Sequence, residues 1–195
     1  SKGEPQRVSL RGNNITALDV DANGELWVGT MNGLALYDRE NLTFVYFNHS
    51  PRHADSLVDN LISTIFEAKS GILWVGTFGG GTSRFNLDRE WFTHIRFNPE
   101  NPNGLPHSFV RSLADGKNKR LYLGTDHGIA IWNTEDLSFE PVPSIGPEKE
   151  SVISTILEDK SGTLWLGTKG DGLIRKGSSG EVVVFRRNPD APNSL

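Results

Sequence analysis

The sequence predicts an all-β chain folded as four four-stranded antiparallel blades, a fragment of a larger β-propeller. Three observations carry that expectation. A Leu-Trp-Val-Gly-Thr run ends at Thr30 and returns ending at Thr77, Thr125 and Thr168. Such spacings match the roughly 40–50 residues of a four-stranded blade. Apolar residues alternate over short runs and show no helical period. Twenty-one glycines and ten prolines in 195 residues require many turns.

Each repeat reads as four strands. The first strands are expected at 15–20, 62–66, 109–113 and 152–157. A polar turn follows, such as Asp21-Ala22-Asn23-Gly24 or Asp159-Lys160-Ser161-Gly162, in which Asn and Gly tolerate positive φ. The second strand carries the recurring run. Leu26 and Val28 face one way and Trp27 the other, so this strand is apolar on both faces and suits a blade packed between two neighbours. Gly29, Gly76, Gly124 and Gly167 follow the bulky residue, where a neighbouring backbone comes close or the strand bends. The third strands are expected at 34–37, 82–85, 129–132 and 173–175, and the fourth at 44–47, 92–97, 139–142 and 182–185. Blades are thus expected at about 13–50, 60–98, 107–143 and 151–187. On strands within blades, Trp27, Trp74 and Trp165 read as core and not as sugar-stacking platforms.

The ends do not fall between repeats. Residues 6–10 occupy the place of an outermost strand from a blade whose other strands are absent. Residues 188–195 (Asn-Pro-Asp-Ala-Pro-Asn-Ser-Leu) repeat the lead-in at 98–105 (Asn-Pro-Glu-Asn-Pro-Asn-Gly-Leu), and so announce a fifth blade. Repeats rely on neighbours to cover their faces. Two open faces are therefore expected to seek partners, either by self-association into a ring of eight blades or by curling into a small ring of four.

Composition excludes several classes. A net charge of -4 gives no attraction to a polyanion, so nucleic acid is not an expected partner. No cysteine is present, which removes disulfides and thiolate metal sites and leaves the redox compartment open. No apolar run approaches the roughly 20 residues of a membrane span, and Ser1-Lys2-Gly3-Glu4 is too polar to open a signal peptide. No cofactor motif appears. Gly79-Gly80-Gly81 lacks the lysine and helix of a phosphate cradle. His49 and His53 are four apart but flank Pro51 in a loop, so no metal site is expected. The sequons at Asn14, Asn41 and Asn48 are short and common. Asp21-x-x-Gly24-x-x-Trp27, repeated at Asp159 to Trp165, resembles the Asp-box of sialidase-type propellers, some of which are glycoside hydrolases. Ala68 stands at the aligned place in the second repeat, and no arginine cluster accompanies the motif. The chain is not expected to be an enzyme.

The run Gly-x-Leu-Trp-Val-Gly-Thr-x-x-Gly-Leu at 24–34, with the Asn-Pro-x-x-Pro-Asn-x-Leu lead-in, resembles the two-component regulator propeller repeat. The third copy departs, with Tyr122 for tryptophan and Lys119 for the turn glycine. The resemblance implies a sensor region of a bacterial transmembrane signalling protein, lying in the periplasm. Its ligand would be an oligosaccharide or other small polar molecule, and its output domain a histidine kinase or diguanylate cyclase outside this chain. Membrane attachment would come only through other parts of that protein. A protein–protein interaction platform is the alternative.

In a propeller the loops between second and third strands share one end with the connections between blades. Here those are 31–32, 78–80, 126–127 and 169–171, with 49–60, 98–107 and 145–150. Loops on a rigid scaffold are the usual seat of binding. The candidate ligand residues are Asn32, Phe78, Asp126, His127, Lys169 and Asp171. The competing reading is a row of solvated loops.

Overall fold

The structure, a computed structural model, describes residues 10–86, 91–142, 145 and 151–190. Among them sixteen strands form four antiparallel sheets. The first blade contains β1 (Ile15–Val20), β2 (Leu26–Thr30), β3 (Gly33–Asp38) and β4 (Thr43–Phe47). The second contains β5 (Ile62–Glu67), β6 (Ile72–Thr77), β7 (Thr82–Asn86) and β8 (Trp91–Ile95). The third contains β9 (Val110–Asp115), β10 (Arg120–Thr125), β11 (Gly128–Asn133) and β12 (Ser138–Glu140). The fourth contains β13 (Ile153–Glu158), β14 (Leu164–Thr168), β15 (Leu173–Lys176) and β16 (Val182–Phe185). In each sheet the strands lie side by side in chain order.

Two strand bounds differ from expectation for identifiable reasons. β12 stops at Glu140 because Pro141 has no N–H to continue the ladder. The third inner strand begins at Val110, one residue after Phe109, which forms instead an isolated bridge with Phe78. Of the lead-in at 188–195, only the start lies within the described residues. There Asp190 donates its N–H to Asn188 Oδ1, the turn that Glu100 makes with Asn98. The strand expected at 6–10 and the loop at 146–150 lie outside the described residues, apart from Leu10.

Successive inner strands pack on one another, β1 on β5, β5 on β9 and β9 on β13. Among the described residues β13 shows no comparable packing on β1, and Leu18 and Leu157 stand exposed on the two end blades. The blades therefore form an open arc and not a small ring of four. Gly29 shows why the recurring glycine is needed. A Cβ built there would sit 2.7 Å from Ile62 Cγ2 of the next blade's inner strand, well inside van der Waals contact. At Gly124 the corresponding neighbour is Ile153 Cγ2, at 2.9 Å.

The recurring ring of the second strand faces the third strand of the next blade. Trp27 meets Phe85 edge-on with centroids 5.7 Å apart, and Trp74 meets Trp132 at 5.9 Å. Phe47 and Phe92 complete the first of these interfaces. Such edge-to-face pairs add about 0.5–1.5 kcal/mol each beyond the area they bury. Among the described residues no blade follows Trp165. It is only half-buried and stacks on Phe185, so the expectation of a core residue holds fully for Trp27 and Trp74 alone. The same logic leaves Leu18 63% exposed on one outer face of the arc and Leu157 61% exposed on the other, whereas Ile65, at the place of Leu18, is 7% exposed.

The Asp-box aspartates are structural. Asp21 Oδ1 accepts the N–H groups of Asn23 and Glu25, and Oδ2 accepts the Trp27 indole at 2.9 Å. Asp159 repeats the arrangement with Ser161, Thr163 and Trp165. Ala68 cannot, and the buried Trp74 indole N–H is left without a partner. Gly24, Gly71 and Gly162 complete these turns at φ of 78°, 74° and 86°. In the third blade Asn118 and Lys119 take φ of 54° and 59°, a region that costs a side-chain-bearing residue about 1–2 kcal/mol.

A strut joins each hairpin to the next blade. Glu67, Asp115 and Glu158 end successive inner strands. Each accepts a backbone N–H from the preceding blade's turn, at Ala22, Lys69 and Lys117 respectively.

Replacing Asp21 by Ala removes one carboxylate from three donors, two of them backbone. The expected loss is about 1–3 kcal/mol, read by urea denaturation. Asp159→Ala, on the blade with an open face, is expected to lose less.

Candidate functional site

The loops between second and third strands are built by the threonine that ends the recurring run. Thr30 Oγ1 donates to Gly33 O and accepts the Asn32 N–H. Thr77, Thr125 and Thr168 do the same with Gly81 and Gly80, Gly128 and His127, and Gly172 and Asp171. These turns leave their first residues pointing out of the sheet at the end where blades connect.

Three of the six sequence candidates converge where the second and third blades meet. Phe78 donates its N–H to Leu61 O and packs edge-on against Phe109, with centroids 6.3 Å apart. His107 lies 5.3 Å from Phe109 and 4.7 Å from the exposed ring of His127. Phe97, 41% exposed, lies 6.5 Å from His107. His107 Nδ1 accepts the Phe109 N–H at 3.1 Å, which leaves the neutral ring's proton on Nε2. Asp126 forms a two-pronged ion pair with Arg111, through Nε to Oδ1 and through Nη2 to Oδ2 at 3.0 Å.

Arg111 is placed by a β-bulge. Every inner strand carries one, and the residue skipped by the pairing is Thr16, Ser63, Arg111 or Ser154. A bulge re-aims the extra side chain. At three positions that side chain is small, and Ser63 uses its hydroxyl on Val110 O. At the fourth it is a guanidinium.

The electrostatics follow from this placement. The hydrogen bond from Arg111 holds the Asp126 carboxyl below the usual carboxylate range, against the opposing effect of burial. The charge of Arg111 acts in the same direction as the hydrogen bond. The same bond raises the Arg111 guanidinium. Asp126 is thus a fixed anion at neutral pH and unsuited to donate a proton. The arrangement offers flat apolar rings beside paired donors and acceptors, which suits recognition of a ligand with ring faces and hydroxyls. It does not supply the raised carboxylic acid that glycoside hydrolysis uses.

The other three candidates lie elsewhere. Asn32, on the first blade, ties Arg11 O to its side chain and receives Asn48 Nδ2 on its carbonyl. Asp171 on the fourth blade accepts from Ser151 Oγ at 2.7 Å. Lys169 is exposed. Among the described residues no group of three or more His, Asp or Glu is gathered to hold a metal. Reading the loops alone misses Arg111, Phe109 and Phe97. Arg111 had a signal, a charge at a repeat position otherwise filled by Thr or Ser.

An open arc of four-stranded blades, with aromatic rings and an ion pair gathered at one end, defines a β-propeller scaffold. The profile of the two component regulator propeller matches residues 9–32, 56–79 and 147–170, and passes over the third repeat with its Tyr122. Those three segments are two-component regulator propeller repeats. It is 34% identical over 190 residues to histidine kinase P4 of Formosa agariphila, covering 93% of this chain and 14% of that protein. Among solved structures it is similar to the extracellular domain of BT3049 from B. thetaiotaomicron, assigned as a hybrid two component system. There the TM-score is 0.81 and the identity 21%, over 93% of this chain and 26% of that one. The extracellular domain of BT4673 from the same organism gives a TM-score of 0.79 at 19% identity, covering 99% of this chain and 24% of that one. At such identities the two structures speak for the fold. The chain thus spans about a seventh of the kinase and about a quarter of each extracellular domain.

The ion pair sets a pH dependence. A carboxyl held below its unfolded value adds stability that is present above about pH 4 and is lost as pH falls through the folded value. Arg111→Ala should return Asp126 to the ordinary range and move the onset of acid unfolding to higher pH. Carboxyl NMR titration and acid denaturation followed by circular dichroism read the two effects.

Proposed function

We propose that this chain is the ligand-binding part of an extracytoplasmic sensor, and that it passes occupancy to a kinase or cyclase output domain outside these 195 residues. The observation that carries the reading is the site between the second and third blades. Five rings and one ion pair gather there, beside loops fixed by threonine caps. The repeat family and the length of the kinase relative support it, because a sensor propeller occupies only part of such a chain. The ligand class that fits the site is an oligosaccharide or another small polar molecule. Its apolar ring face would lie on Phe78, Phe97 and Phe109, and its hydroxyls would reach Asp126, Arg111 and His127. The propeller itself carries no reaction in this account. Its place in the cell is the periplasm.

The test is calorimetry of the whole extracytoplasmic region with a panel of oligosaccharides. Saturable binding that Arg111→Ala or His127→Ala weakens tenfold or more supports the sensor. Absence of binding across the panel, with a protein captured on the same face, turns the reading toward an interaction platform.

The outer faces bearing Leu18 and Leu157 would be covered by further blades of a longer chain or by a second copy of this one. Light scattering on the isolated chain separates the two. A stable monomer removes the second copy, and a dimer supports it.

A further inference from the structure

A second site lies at the opposite end of the blades, between the third and fourth, and it goes beyond the sensor reading. Register explains its existence. Phe85 pairs with Leu73, and Trp132 pairs with Leu121. Each ring projects back onto the tryptophan of the preceding blade and fills the wedge. In the fourth blade the residue at this place, paired with Leu164, is Lys176. The ring it faces on the third blade is the smaller Tyr122. One aromatic plug is missing, and a cleft of about 520 Å³ stands in its place. Small-molecule sites run from roughly 300 to 1,000 Å³.

The lining is divided by polarity. The floor is apolar, formed by Ile129, Ile131, Ile145 and Leu164. The polar groups are mostly engaged with one another. Tyr122 donates its hydroxyl to Glu158 at 3.1 Å, and Glu158 also holds the Lys117 N–H. Burial first, and then the Glu158 charge, push the tyrosine up to about 12, so it stays a neutral donor. Lys117 Nζ is given to Lys160 O, and Arg120 to Glu140. Lys176 is the exception among the charged groups. Among the described residues its amine makes no hydrogen bond or ion pair. Glu181, whose carboxylate feels its charge, is already held by Ser179 and Arg175. An apolar slot shaped for a missing ring, with an uncommitted cation at its mouth, is complementary to a flat ring carrying a negative group.

We propose that the cleft between the third and fourth blades binds an aromatic carboxylate, its ring lying where Phe85 and Trp132 lie in the other two interfaces and its carboxylate on Lys176. The probe is indole-3-acetate, titrated into the whole chain by calorimetry, with indole-3-acetamide as its uncharged counterpart. Saturable binding of the acid, at least tenfold tighter than the amide, is expected. Lys176→Gln should remove the preference for the acid and leave the amide's affinity unchanged. Lys176→Phe restores the plug, so it should abolish binding of both probes while raising the melting temperature, which shows that the loss is not a loss of fold. No saturable binding to the native chain, equal binding of acid and amide, or unchanged binding in Lys176→Phe would each overturn the proposal. These outcomes are independent of the oligosaccharide test, because Phe78, Arg111 and His127 lie at the other end of the blades.

Discussion

The contact on which this structure depends is the ring that one blade's second strand sets against the third strand of the next. It can form only because a glycine two residues later lets the following inner strand approach. At Gly29 a single methyl would collide with the Ile62 side chain, so the close approach of the blades depends on the bare glycine backbone. With that approach made, the wedge between blades has a set volume. Trp27 with Phe85 fills it once, and Trp74 with Trp132 fills it again. Asp21 secures the Trp27 indole from behind, and the struts from Glu67, Asp115 and Glu158 fix the hairpins. Each device is local to one junction, as expected of a quasi-one-dimensional repeat.

Most of this architecture was legible in the sequence because it is periodic. Four copies of one run announce four sheets, and Asn or Gly in the turns announces hairpins. The exceptions mark where periodicity stops informing. Trp165 has the sequence of a core residue, but among the described residues no blade follows to bury it. Lys119 adopts the conformation of the glycine it replaces. Pro141 ends a strand that the apolar pattern alone would extend.

The site was legible in part. Phe78, Asp126 and His127 were candidates because loop residues at one end of a propeller are the natural place to look. Asn32 and Asp171 share that address, yet their hydrogen bonds serve the loops themselves. Arg111 lies on a strand, and nothing in its own neighbourhood distinguishes it from a solvated charge. Only alignment with Thr16, Ser63 and Ser154 singles it out, and only the bulge explains how it reaches Asp126. The lysine at the cleft follows the same rule. Lys176 becomes informative when read against Phe85 and Trp132, which hold its place in other blades.

The bulge has an evolutionary meaning. The residue it ejects has no partner across the strand, so its identity is released from the pairing that governs its neighbours. Each blade therefore holds one position at which mutation can explore charge, length and polarity while the sheet stays intact. A gene that duplicates blades duplicates that freedom. The four present occupants, Thr16, Ser63, Arg111 and Ser154, are four settings of one dial, and a related propeller changes the chemistry at this end of its blades by turning it blade by blade.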